Sequence, residues 1–278
     1  MGAGAYLRLY RVQDWMHFLP LPLAGWAADH GQTSIRALVG GTIAWGFGLA
    51  YASAINQAFD DRLDRGDIMK NPVARAFGRR RAILLSIPPL VASLVVLAVL
   101  SPHGVVAGIA LAVAATLYSA PPRLKRFPVL GTMWNLVVGV PGFFFAAHPS
   151  VGDVPLRLLV SLFAVLLLVS QLIHEAQDRH DDVLGEVRTV ATVAGRRTAL
   201  LAAAAMVLAA PAVAWWLADG MMRRVEVTAA CGAFSAGWAA LLWTRFRCED
   251  GAELKQLRLR YRYSAICLGA VVFAAIRP

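Results

Sequence analysis

Asn56, Asp60 and Asp64 follow one another at intervals of four residues in the stretch NQAFDDRLD, and His174, Asp178 and Asp182 repeat the interval in HEAQDRHDD. On a helix advancing about 100° per residue, the first three fall near 0°, about 40° and about 80°. One face then carries an amide oxygen and two carboxylates on successive turns, with Asp61 directed elsewhere; in the second stretch Asp181 lies on a neighbouring stripe. Like charges one turn apart repel, more strongly where water is scarce, so a positive species is expected between them. Hard oxygen donors with no thiolate and little imidazole suit Mg2+, which binds through one or two carboxylates plus substrate phosphates. Two such columns facing each other would hold two Mg2+ ions bridged by a diphosphate. A charged cap at a membrane boundary is the plainer account of either cluster alone; two clusters of one spacing favour the metal.

Both clusters close long apolar runs. The chain has 278 residues, 58% hydrophobic and 16% charged, outside the usual composition of soluble domains. Apolar runs of the length that crosses about 30 Å of hydrocarbon recur throughout. They predict nine segments, at 15–29, 36–58, 81–101, 103–121, 129–148, 155–175, 198–218, 226–244 and 262–277. Pro88, Pro89, Pro141 and Pro211 inside them are tolerable because neighbouring helices can satisfy the freed carbonyls. Of 17 acidic residues, nine fall in 60–67 and 175–186, at the ends of predicted helices and away from mid-membrane.

With the N-terminus in the cytoplasm, 22 of 27 Lys and Arg fall on the cytoplasmic side, a bias that sets orientation. Basic cytoplasmic loops facing anionic lipid also account for the net charge of +10 without a nucleic-acid partner. The polar N-terminal stretch lacks a small-residue cleavage site and reads as no removable signal peptide. Cys231, Cys248 and Cys267 show neither disulfide nor zinc spacing.

Asn56, Asp60 and Asp64 match an NxxxDxxxD motif, and Asp178 and Asp182 match a DxxxD motif followed by Gly185 and Arg188-Thr189. Between them runs YSAPPRLK at 118–125. In this order the three motifs resemble the UbiA superfamily of intramembrane prenyltransferases, over nearly the whole chain. Departures are Gln57 where many members have Asp, Lys70-Asn71-Pro72 with Gly78 in place of RPxxxG, and Glu186 where glycine is usual. None of them removes a metal-ligand position.

The resemblance implies an all-α, nine-transmembrane-helix bundle forming a single domain over 1–278, with cytoplasmic cap loops at about 59–80 and 176–197. It implies a cytoplasmic (inner) membrane protein whose active site faces the cytoplasm. Asn56, Asp60, Asp64, Asp178 and Asp182 are then the Mg2+ ligands. Lys70, Arg123 and Lys125 are expected at the diphosphate, Tyr118 orients substrate through its hydroxyl, and His174, Glu175 or Asp181 serves as base or partner to the second motif. Trp45, Trp134 and Phe143 to Phe145 are possible aromatic walls for an allyl cation or simply packing residues.

The chemistry expected is ionisation of a polyprenyl (allylic) diphosphate and transfer of the prenyl group to an aromatic or other lipid-pathway acceptor, in terpenoid or quinone biosynthesis. A terpene cyclase on the same scaffold, acting without a separate acceptor, would use identical aspartates. A cation-coupled transporter is the reading from another class; carboxylates at helix ends and no detectable inverted repeat speak against it. The sequence leaves the acceptor, donor chain length and oligomeric state open.

Overall fold

The computed structural model describes residues 9–29, 34–60, 72–149, 152–184 and 187–276. Among them only helices and connecting segments occur, with no strand. The helices are α1 (Val12–Trp15), α2 (Leu21–Ala28), α3 (Ile35–Asp60), α4 (Pro72–Leu100), α5 (Pro102–Ser119) and α6 (Pro128–Gly139). They continue with α7 (Val154–Leu184), α8 (Val190–Ala194), α9 (Arg196–Val207), α10 (Ala209–Leu217), α11 (Met221–Arg245) and α12 (Gly251–Ile276). Among the described residues six stretches are long and apolar enough to cross a membrane: Ile35–Asp60, Gly78–Leu100, Pro102–Ser119, Val154–Leu184, Arg196–Leu217 and Met221–Arg245. These match six of the predicted segments.

The other three segments are helical in part. Segment 15–29 is interrupted: a 3-10 turn at Met16–Phe18 precedes α2, which starts after Pro20 and carries Pro22 in its first turn. Segment 129–148 is α-helical to Gly139 and then tightens into a 3-10 turn at Val140–Phe144 around Pro141. Residues 262–276 of the last segment form the second half of α12, whose first half is basic. Prolines cause the first two interruptions, because they lack the donor a continuing helix needs.

The chain forms two compact units. The first comprises residues 1–126 and 137–149, the second 127–136 and 150–278.

In the first unit α3 packs along α4 and α5, while α2 lies on the 3-10 turn at Val140–Phe144. The contacts are close because glycines bring backbones together, as is common between helices in membranes. A Cβ on Gly25 would lie 1.7 Å from the Phe143 carbonyl oxygen, and one on Gly41 would lie 2.6 Å from Ala146 Cα. Trp45 is fully buried, donates its indole N–H to the Phe18 carbonyl at 2.9 Å, and meets Phe145 edge-on at 4.9 Å between centroids. Trp45, Phe143 and Phe145 are thus packing residues of this unit. Inside α4, Gly78 has φ of 72° and breaks the helix, so the membrane-length stretch starts there.

In the second unit α7 is the central element. Val169, Leu172, Ile173 and Ala176 of α7 bury against Ala199, Leu200, Ala203 and Val207 of α9 and against Leu254, Leu257 and Tyr261 of α12.

Two freed carbonyls find donors from outside their own helix. Pro89 leaves the Leu85 carbonyl without its i+4 N–H, and the Tyr10 hydroxyl donates to it at 3.1 Å. Pro211 does the same to Val207, and Ser235 Oγ donates there at 2.7 Å. Each device satisfies a polar group that lipid could not.

Residues 176–197, predicted as a cap loop, are largely helical. α7 runs on through Leu184, and α8 occupies Val190–Ala194. Thr189 caps α8, accepting from Thr192 N–H at 3.2 Å while its own N–H donates to Thr192 Oγ1 at 2.7 Å. In the predicted loop 59–80, residues 59 and 60 end α3, residues 72–80 belong to α4, and 61–71 lie outside the described residues.

Candidate active site

The first unit assembles half of the predicted site at the end of α3. Asn56 and Asp60 stand one turn apart on this helix, as their spacing requires. α5 ends at Ser119, whose hydroxyl donates to Asn56 Oδ1 at 3.1 Å. The chain then passes through the two prolines of YSAPPRLK into a short 3-10 turn at Leu124–Arg126. That turn delivers Lys125, which donates to Asn56 Oδ1 at 2.9 Å and forms an ion pair with Asp60 Oδ1. Arg123 donates from Nη2 to Asp60 Oδ1 at 3.3 Å and to the Phe59 carbonyl at 3.0 Å. Its backbone is left-handed, with φ of 60°, a conformation that costs a non-glycine residue about 1–2 kcal/mol. The Lys125 ammonium also lies 5.9 Å from the centre of the Tyr118 ring.

Asp60, Arg123 and Lys125 side chains are only 15%, 16% and 10% exposed, so they interact more strongly than a solvated surface pair. Burial lowers the Arg123 guanidinium pKa from its ordinary value, repulsion from Arg126 and Arg79 adds to this, and Asp60 opposes it. Two cations thus converge on the first predicted metal ligands. The arrangement fits a divalent cation: Asn56 Oδ1 and Asp60 Oδ1 are hard oxygen donors already turned toward one positive charge, the Lys125 ammonium, which stands in for a metal. Asp64 and Lys70 lie outside the described residues.

The second unit carries the other motif on α7, where His174, Asp178 and Asp182 occupy consecutive turns. Asp178 Oδ2 lies 3.2 Å from His174 Nδ1, and Oδ1 accepts from Gln177 Nε2 at 2.6 Å. Asp178 and Asp182 are half-buried, and Asp181 is exposed. The Asp182 carbonyl accepts the Val187 N–H at 2.8 Å as the chain leaves α7. Gly185 and Glu186 lie outside the described residues. Among the described residues no three His, Cys, Asp or Glu side chains converge as a metal cluster.

Glu175 is buried, at 4% exposure. Its Oε1 accepts from Thr132 of α6 at 2.5 Å and its Oε2 from the Val190 N–H at 2.9 Å. One carboxylate therefore ties α6, α7 and the start of α8 together. Arg179 donates to the Ala191 carbonyl at 3.0 Å and Arg196 to the Ala176 carbonyl at 2.8 Å, fixing the same corner. Removing the clamp with Glu175→Leu strands the partly buried Val190 N–H, while Thr132 keeps the Pro128 carbonyl at 2.8 Å. The expected loss is about 1–3 kcal/mol, read as a lower thermal unfolding midpoint of purified protein; an unchanged midpoint would remove the clamp.

Sequence reasoning missed Ser119, Gln177 and Thr132. Ser119 stood inside the quoted YSAPPRLK segment, and Gln177 beside Asp178. Thr132 gave no signal, because its partner is 43 residues away.

Fold and site define an integral membrane protein that gathers oxygen donors and cations at the ends of its spanning helices. The chain belongs to the UbiA prenyltransferase family, which is matched over residues 18–266. It matches no individual curated protein in sequence. It shares the fold of a UbiA homolog from Archaeoglobus fulgidus bound to DMAPP and Mg2+, with a TM-score of 0.77 at 21% identity over 98% of both chains. The same homolog bound to GPP and Mg2+ gives 0.76 at 21% identity, over 96% of this chain and 99% of the other. A structure of digeranylgeranylglyceryl phosphate synthase gives 0.64 at 15% identity, over 98% of this chain and 96% of the other.

Proposed function

We propose that the chain is a Mg2+-dependent intramembrane prenyltransferase that ionises a polyprenyl diphosphate and joins the prenyl group to an aromatic or other lipid-pathway acceptor. The observation that carries this reading is the convergence of Lys125 and Arg123 on the Asn56 and Asp60 oxygens. Family membership and the DMAPP, GPP and Mg2+ bound to the Archaeoglobus fulgidus homolog support it.

In this reading Asn56, Asp60, Asp64, Asp178 and Asp182 would hold Mg2+, which when bound would supply positive charge against the departing diphosphate. Lys125 and Arg123 turn from Asp60 to the diphosphate oxygens, where Lys70 joins them, and stabilise charge that grows as the allylic C–O bond breaks. Tyr118, beside Lys125, orients the diphosphate end. His174, one turn before Asp178, or Asp181, inside the second motif, takes up the proton released when a ring acceptor is alkylated, while Glu175 positions the corner that carries them. The nine segments form one domain, with the N-terminus and both motifs on the cytoplasmic side.

The test is turnover by purified protein with Mg2+ and allylic diphosphates of increasing chain length, first alone and then with phenolic or glycerophosphate acceptors, with products read by mass. A mass gain of one prenyl group on an acceptor is the expected result. Conversion of the diphosphate alone into a hydrocarbon would replace the transferase with the cyclase. Absence of diphosphate release under every condition would reject both.

A further inference from the structure

The first unit holds an apolar groove of about 640 Å3, the size of a built ligand pocket and far more than a surface dimple. Its walls include Tyr10, Trp15 and Leu19 of the N-terminal segment, Gly46 and Phe47 of α3, and Pro88 of α4. The polar atoms of the two interfacial aromatics are already used, Tyr10 OH on the Leu85 carbonyl at 3.1 Å and Trp15 Nε1 on the Tyr10 carbonyl at 2.6 Å. They therefore offer the groove only apolar ring faces.

One cation continues the α4 wall beyond the groove. Arg81 precedes Leu85, Pro88, Pro89 and Ala92 by intervals of four, seven, eight and eleven residues, the spacing of a single helix face. Pro88, Pro89 and Ala92 line the groove. Arg81 lies about 10 Å up the helix axis from Pro88, and because helix side chains lean toward the N-terminus a phosphate on the exposed Arg81 stands at least that far from Pro88, within reach of a lipid whose acyl chain lies in the trough. Neighbouring cations are otherwise engaged. Arg11 pairs with Asp14 at 2.5 Å, and Arg79 donates to the Ala58 carbonyl while lying over the Phe59 ring. Arg80 is rotated by about 100° off the groove stripe. Among the described residues Arg81 has no ion-pair partner.

An apolar trough ending in an aromatic pair and then a single arginine complements a hydrocarbon chain attached to a phosphate. We propose that the groove binds an anionic membrane phospholipid, one acyl chain in the trough and the phosphate on Arg81. None of Asn56, Asp60, Tyr118, Arg123 and Lys125 lines the groove, so its residues are distinct from those of the proposed active site.

The test is native mass spectrometry of the purified full chain with phosphatidylglycerol or phosphatidylcholine. One phosphatidylglycerol should be retained in preference to phosphatidylcholine by about fivefold, the effect of one basic residue on an anionic lipid. Arg81→Gln should abolish the preference while Arg80→Gln keeps it. Gly46→Leu should weaken retention of both lipids; a Cβ there meets only Leu19 Cδ2, at 3.5 Å, so the larger side chain enters the groove. Equal retention of the two lipids by the natural chain would overturn the proposal, as would equal losses in Arg81→Gln and Arg80→Gln. Displacement of phosphatidylglycerol by an allylic diphosphate without Mg2+ would reassign the groove to the donor's tail.

Discussion

Asp60→Asn is expected to lower diphosphate release from an allylic diphosphate by about two to three orders of magnitude, with the amount of folded, membrane-inserted protein unchanged. Asparagine keeps an oxygen where Lys125 and Arg123 converge, so the polar corner retains an acceptor and loses only the charge a divalent cation requires. Asp60→Ala should show the same loss of release. Asp178→Ala should match it if the two motifs serve one reaction. Removal of Mg2+ by a chelator should reproduce the effect and its restoration should reverse it. Phosphate-release assays on detergent-solubilised protein separate these outcomes, and turnover retained in either the Asp60 or the Asp178 variant would sink the metal assignment.

The largest effect on stability is expected at Gly25→Ala. The new methyl would stand 1.7 Å from the Phe143 carbonyl oxygen and 2.6 Å from its carbon. Both obstacles are backbone, so neither a rotamer change nor a flexible side-chain tip can relieve them. Relief requires α2 to withdraw from the 3-10 turn at Val140–Phe144, undoing contacts on both sides. The cost should exceed the usual range of about 1–3 kcal/mol for an overpacked core and appear as loss of the monodisperse folded species in size-exclusion chromatography. Gly46→Ala is the matched control, its methyl making an ordinary contact with Leu19; similar losses in both would discredit the contact.

The long spans were legible because a membrane imposes length and apolarity on each helix separately, so the signal at 36–58 or 155–175 needs no knowledge of the rest. The steps from Asn56 to Asp60 and from His174 through Asp178 to Asp182 were legible for the same reason, because four-residue spacing is a local property of one helix; Asp64 lies outside the described residues. The cationic partners of Asp60 could be named from YSAPPRLK, but the left-handed Arg123 that aims one of them could not. Pro20, Pro22 and Pro141 carried the signal for broken first and fifth segments, which total apolarity concealed. Gln57 could be noted as a departure, yet its use depends on a long-range contact: one position from Asn56 it points about 100° away, is buried, and donates to the Leu9 carbonyl. The Glu175 clamp was beyond reach because Thr132 and Val190 approach it from separate stretches, and no periodicity encodes such a meeting.

The left-handed turn at Arg123 has a consequence for engineering. That backbone favours glycine, so the turn works against its own side chain, and Arg123→Gly would relieve local strain while deleting one of the two cations beside Asp60. The same change removes the hydrogen bonds to Asp60 Oδ1 and the Phe59 carbonyl, so backbone relief and lost contacts offset one another, while under the role proposed for Arg123 the variant would release diphosphate slowly. Directed evolution of this scaffold therefore needs turnover in its screen from the first round, because under the role proposed for Arg123 a thermal screen alone is blind to the loss of that cation.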